Sequence, residues 1–199
     1  ISKSFQFEPY HVTDIHRGWA KGEGWWISAF GASYGASEAK QKYEFSVNES
    51  GRPTREVKCA AGADWDKAGL KNLLRGVTVE FAYNRKLLCI MKQEGSEEVS
   101  KLLMEQSKHE LVMAGVVTDG DTQIDISVTY HYDATPLKAG EPTGYIFRIK
   151  GRVVGAVEII NKGTVWMHNS VTPETRSTLA AASAVLLMHQ DLKKMMERK

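Results

Sequence analysis

Apolar and polar residues alternate with period two over several stretches, the mark of strands with one buried and one wet face. Val77, Val79, Phe81 and Tyr83 alternate with Thr78, Glu80, Ala82 and Asn84. Ile124, Ile126, Val128, Tyr130 and Tyr132 alternate with Asp125, Ser127, Thr129, His131 and Asp133. Tyr43, Phe45 and Val47 alternate with Glu44 and Ser46, and Tyr145, Phe147 and Ile149 with Ile146, Arg148 and Lys150. Such alternation favours antiparallel strands over the continuous apolar runs of a parallel sheet.

Shorter runs extend the pattern over Ser4–Glu8, Trp25–Phe30, Arg55–Cys59, Leu87–Lys92, Glu110–Val117, Val153–Ile160 and Thr164–His168. Turn residues separate them. Asn48-Glu49-Ser50-Gly51 follows one strand, and Asp119-Gly120 sits between Val117 and Ile124 as a hairpin signal. Lys150-Gly151 and Lys162-Gly163 divide the last three strands into a meander. The reading gives about eleven strands. Two short helices are expected among them. Ala63–Leu74 carries Trp65, Leu70, Leu73 and Leu74 and stops before Gly76, a helix-ending glycine. Ser96–His109 carries Val99, Leu102, Leu103 and Met104 on one side. Gly31–Ser37, rich in small residues, reads as a flexible loop.

The C-terminal segment sets the architecture. Thr172-Pro173-Glu174 combines a capping hydroxyl, a proline with the φ of the first helical position and an acid at the positive helix end. From Leu179 to Met188 only Ser183 is polar, and a helical serine can bond its own backbone. A helix apolar all round is buried all round. At about 15 Å this core is too short to span a bilayer. In a chain otherwise made of strands, sheet must surround it. Closure would also remove the exposed edges of so many antiparallel strands, and a barrel of more than about eight strands leaves a lumen to be filled. The expectation is a mainly β fold: a closed or nearly closed antiparallel barrel of eleven to twelve strands around the C-terminal helix, one domain over 1–199, with His189 to Lys199 emerging into water.

Composition sets bounds on that picture. A chain of 199 residues buries a sizeable core without a metal or disulfide staple. A net charge of +2 with interleaved charges gives no basic stripe, so no nucleic acid is expected as a partner. No apolar run reaches membrane-span length. The chain starts at Ile1; a cleaved secretion signal, a trimmed lipid-anchored segment and a simple truncation fit equally well, and an extracytoplasmic, periplasmic or envelope-anchored setting is the suspected one. Cys59 and Cys89 sit among apolar residues. Two free buried thiols are the favoured reading, with one disulfide in an oxidising compartment left open.

Gly144-Tyr145-Ile146-Phe147, Val154-Gly155-Ala156-Val157, Val165-Trp166-Met167 and the helix Thr178–Met188 together resemble the tubby-like superfamily, which includes the phospholipid-scramblase-like domains. The resemblance covers the last third of the chain, and strand count alone relates the rest. It implies a barrel of about a dozen antiparallel strands threaded by a hydrophobic C-terminal helix. In eukaryotic members it would imply phosphoinositide or membrane-surface binding, but no basic cluster here carries that over residue by residue. Gly24-Trp25-Trp26 faintly resembles the start of a lipocalin, so a lipocalin-like carrier of a small lipophilic ligand is the alternative. Lipocalins pack an amphipathic helix outside the barrel, unlike the helix here.

Motifs for chemistry are sparse. No histidine pair has metal-ligand spacing; His11 and His16 flank Asp14 in what reads as a loop. Asp119-Gly120-Asp121 with Asp125 is a fragment of a calcium loop, and a polar turn explains it more simply. There is no Gly-x-Ser-x-Gly elbow and no phosphate loop. The chain therefore reads as a non-enzyme with no catalytic residue, cofactor or metal. It is expected to be a monomeric binding or structural domain of the cell envelope or a membrane surface, with a membrane or protein as partner. If Trp25-Trp26 lies in a strand, one ring faces outward, making Trp25 and Trp26 the candidate surface contact.

Overall fold

The structure is a computed structural model. It describes residues 4–19, 25–29, 32–65, 86–106, 113–131, 138–160 and 162–197, with side chains for 4–18, 41–61, 87–105, 114–131, 138–160 and 162–189. Twelve strands form one antiparallel sheet: β1 (Phe5–Phe7), β2 (Tyr10–Trp19), β3 (Trp25–Ala29), β4 (Ala32–Glu49), β5 (Arg55–Trp65), β6 (Lys86–Gln93), β7 (Val99–Gln106), β8 (Met113–Asp119), β9 (Thr122–Thr129), β10 (Gly144–Ile149), β11 (Arg152–Glu158) and β12 (Thr164–Met167). Eleven of them follow one another as neighbours in chain order, and β3 pairs with β4 off that path. The result is a nearly closed barrel whose end strands, β1 and β12, are only three and four residues long.

One helix, α1 (Pro173–Glu197), completes it. Thr172 caps it as its residue types require: its hydroxyl accepts the Thr175 N–H at 3.2 Å. Every side chain from Thr178 to Leu186 is buried, as is Met188. The helix touches β4, β5, β6, β8, β11 and β12, strands from around the whole wall. One hydrophobic cluster joins Leu179, Val185, Leu186 and Met188 to Val12, Tyr43, Val57, Leu102, Ile124, Tyr145 and Phe147. The alanines at 180, 181, 182 and 184 are fully covered. At Gly163, in the turn before β12, a side chain would collide with Leu187.

Several sequence expectations need correction. Ser96–His109 is not a helix: Val99–Gln106 is strand β7, and 107–109 lie outside the described residues. The reason is burial on both faces. Leu102 and Met104 face the helix, while Leu103 belongs to a row Ala60–Leu88–Leu103–Val116, paired across β5 to β8 and buried apart from the central cluster. A strand covered on both sides loses its alternation, and Leu102-Leu103-Met104 then looks helical. Of Ala63–Leu74, residues 63–65 continue β5; the remainder, and the expected strand from Val77 to Tyr83, lie outside the described residues. Residues Ala32 to Ser37 are not a loop but the first part of β4, paired with β3. The segment around His11 and His16 is strand β2, interrupted by a register shift where Asp14 takes φ 53°. The polar end of the helix beyond His189 lies outside the described side chains.

The cysteines need a further correction. Cys59 and Cys89 form a disulfide instead of two free thiols. Register decides this: β5 and β6 place the two directly opposite each other, with Cα atoms 4.1 Å apart, on the face toward the helix. Their separation of 30 residues corresponds to about 3–4 kcal/mol of restricted unfolded-chain entropy.

The central helix yields the first prediction. Leu186→Asp buries an unpaired charge where the side chain is 1% exposed. The variant is expected to be insoluble or to lack a cooperative thermal transition. Soluble protein with an unchanged melting temperature would contradict the packing described here.

Candidate functional site

Three features outside the apolar core carry chemistry. The first is a buried polar collar at the end of the lumen where α1 begins. Arg55 is 4% exposed at the start of β5. Its Nη1 donates to Ser100 Oγ at 2.8 Å, its Nε to Ser177 Oγ at 3.1 Å and its Nη2 to Gln93 Oε1 at 3.3 Å. The Ser100 hydroxyl in turn donates to Asp119 Oδ1 at 2.5 Å, and Thr178 donates to Asp119 Oδ2 at 2.8 Å. Burial lowers the Arg55 pKa, and the Asp119 charge acts in the opposite direction. Four strands and the helix are thereby fixed to one charged centre. Asp119, read from sequence as part of a polar turn, has its carboxylate in this network; Gly120 makes the turn at φ 55°. The collar was legible in one respect that alternation alone did not flag. Arg55 is in phase with Val57 and Cys59, Ser100 with Leu102 and Met104, Asp119 with Val117. Each sits one inward step beyond the last apolar residue of its strand.

Polar atoms also lie within the lumen. The hydroxyls of Tyr10, Tyr43 and Ser183 are buried without a hydrogen-bond partner. A helical serine can bond its own backbone, but the Ser183 hydroxyl does not. Burial, reinforced by Glu49 and opposed by Arg176 and Arg52, pushes the Tyr10 phenol up to about 12 from 10.0. Burial raises Tyr43 further, with Arg17 opposing.

The second feature is a cleft of about 540 Å³ on the outside, between the start of β9, the β10–β11 turn and the approach to α1. Ile149, Val154 and Val171 give it apolar wall, Lys150 and Arg152 positive charge, and Thr122, Ser170, Thr172 and Thr175 hydroxyls. The turn that carries Lys150 has φ 50° there and 78° at Gly151. At Lys150 that is a left-handed conformation uncommon for a side-chain-bearing residue. The register shift after Phe147 leaves Val154 without an opposite residue on β10.

The third feature is the outer face of the last strands. Trp166, Ala156, Ile146 and Ser127 follow one another across β12, β11, β10 and β9. Trp166 is 48% exposed and Val153 54%, the exposed large hydrophobics among the described side chains. Arg148 donates to Ser127 on the same strands. Trp25 and Trp26, the contact expected from sequence, lie in β3 opposite Ala36 and Gly35; their rings lie outside the described side chains. The structure does not bring them to β12 or to the cleft by any register. His11 and His16 pair with Asn48 and Glu44 on β4, both histidines exposed. Among the described residues, no three His, Cys, Asp or Glu side chains gather in a metal-binding group.

Comparison of the chain with protein-family models, with curated proteins and with solved structures finds no match in any of the three.

Two predictions follow from the buried polar groups. Asp119→Ala leaves the Ser100 and Thr178 hydroxyls without their acceptor and the Arg55 charge without its counter-charge. Chemical denaturation should show a loss of about 3 kcal/mol; a loss below about 0.5 kcal/mol would mean that Asp119 contributes no more than a solvent-exposed side chain does. The tyrosines give a pH dependence. Both phenols stay neutral in the fold above the pH at which they ionise when unfolded. Their contribution is therefore complete below about pH 10 and is lost as pH rises above it, through about 12 for Tyr10. Tyr43→Phe removes one of the two titrations together with an unpartnered hydroxyl. Its stability at pH 7 should equal or exceed that of the parent, and its decline above pH 10 should be shallower by about 1.4 kcal/mol per pH unit. An identical alkaline limb in both proteins would exclude Tyr43 as its source.

Proposed function

We propose that this chain is a non-catalytic binding or structural domain that works at a cell-envelope or membrane surface through the outside of its barrel. The observation that carries the reading is the filled lumen: Leu179 to Leu186 are at most 1% exposed at the centre of the barrel. An enclosed site for a substrate or a lipophilic cargo would need that space. The lipocalin-like carrier is therefore the weaker reading. The Cys59–Cys89 disulfide supports an extracytoplasmic setting, since such bonds form and persist in oxidising compartments. A tubby-like relationship belongs to the same proposal, supported by the chain-order antiparallel barrel and the alanine-rich helix inside it.

On the outside, the exposed ring of Trp166 is the side chain best suited to a membrane or protein surface, because an aromatic ring contributes large contact area at low entropic cost. Trp25 and Trp26 remain candidates for the same role on β3. The test pairs two measurements on the purified chain. Native mass spectrometry should find no lipophilic molecule retained one per chain. Co-sedimentation with vesicles of envelope lipids should show binding that Trp166→Ala reduces several-fold at an unchanged melting temperature. A retained stoichiometric lipid would favour the carrier. Vesicle binding indifferent to Trp166→Ala, Trp25→Ala and Trp26→Ala would remove the outer aromatic contact.

A further inference from the structure

We infer that the cleft between the β10–β11 turn and the approach to α1 is a binding site for a small organic anion, an oxyanion head on a short apolar body. The inference rests on the reading that the outside of the barrel does the binding, and it names a ligand class for it. The cleft holds about 540 Å³, within the range of small-ligand sites. Among the described residues, its lining contains two cations and no acid. Lys150 and Arg152 make no hydrogen bond or ion pair among the described residues, whereas Arg52 and Lys58 elsewhere on the barrel each meet a glutamate.

Hydroxyl groups line the same space. The Thr122 hydroxyl has no partner among the described residues. Thr175 Oγ1 accepts from Thr172 at 3.1 Å, which leaves its own proton free to be donated. The helix end itself adds little, because Thr172 already takes the Thr175 N–H through its hydroxyl and the Arg176 N–H through its carbonyl. Ser170 is likewise engaged by His168, at 2.7 Å. The recognition elements are thus Lys150, Arg152, Thr122 and Thr175. Ile149, Val154 and Val171 give the apolar body a surface to lie on.

Lys150 is also placed at a conformational cost. In a turn of this form Asn, Asp or Gly takes the first positive-φ position without strain. A lysine there brings charge to the cleft, and Asn fits the same backbone without it.

Titration calorimetry of the full chain with hexyl phosphate, hexanoate, inorganic phosphate and anionic vesicles tests the assignment. One hexyl phosphate or hexanoate per chain should bind saturably, inorganic phosphate more weakly, and affinity should fall as salt is raised. Lys150→Asn and Arg152→Gln should each weaken binding about tenfold, the loss of one charge-assisted contact. Both residues are exposed, so melting temperatures should hold, and a matched Lys58→Gln variant should bind like the parent. No saturable binding by either alkyl anion, or binding unaffected by Lys150→Asn and Arg152→Gln, overturns the site. So does binding to vesicles alone, which would assign this face to a membrane; the outer-surface reading would survive that result and fall only on its own vesicle and mass-spectrometric test.

Discussion

The burial of one apolar helix on every side is the constraint from which the rest of this protein follows. A helix that is apolar from Leu179 to Met188, Ser183 apart, has no wet face to offer, so the sheet must curve around it. Eleven strands in chain order supply the wall, and small residues at 180, 181, 182 and 184 let the backbones of wall and helix approach. The strands contribute inward residues at every second position, which is why Val12, Val57, Leu102, Ile124 and Phe147 meet on one helix despite lying far apart in sequence.

At the end where α1 begins, the apolar layers stop at a charged collar centred on Arg55 and Asp119, with hydroxyls from Ser100, Ser177 and Thr178 completing it. Such a network contributes little net stability against an apolar replacement, but removing one member strands a buried charge. It links helix to wall at a single axial position. One strand step into the barrel beyond the collar and Val57, the Cys59–Cys89 bond ties β5 to β6.

Beyond the collar, the described polar groups divide between the lumen and the outer face. The lumen carries only three unpartnered hydroxyls, of Tyr10, Tyr43 and Ser183, among the described residues. Lys150, Arg152 and the Thr122 hydroxyl, without partners among the described residues, lie instead around the β10–β11 turn, and exposed aromatic area lies on the outer face of β12. The two end strands are short, which limits the backbone each presents as an edge.

The sequence alone determined the central helix, its capped start at Thr172-Pro173 and the meander that precedes it, because those signals are local: periodicity, a cap and glycines at positive φ. It also determined that sheet must surround the helix, since an all-apolar rod admits no other solvent-free partner in this chain. Only the tertiary structure decided what depends on residues distant in sequence. Strand β7 read as a helix because Leu103 is covered on the face opposite the barrel core, and no local pattern records a second cover. Ala32 to Ser37 read as a loop because small residues carry no alternation; pairing with β3 makes them a strand. Cys59 and Cys89 became a disulfide through a register between β5 and β6. Asp119 passed from turn to half-buried carboxylate of the collar because Ser100 and Thr178 reach it from two other elements. The cleft at Lys150 is of the same kind, an assembly of three segments that no single stretch of the chain encodes.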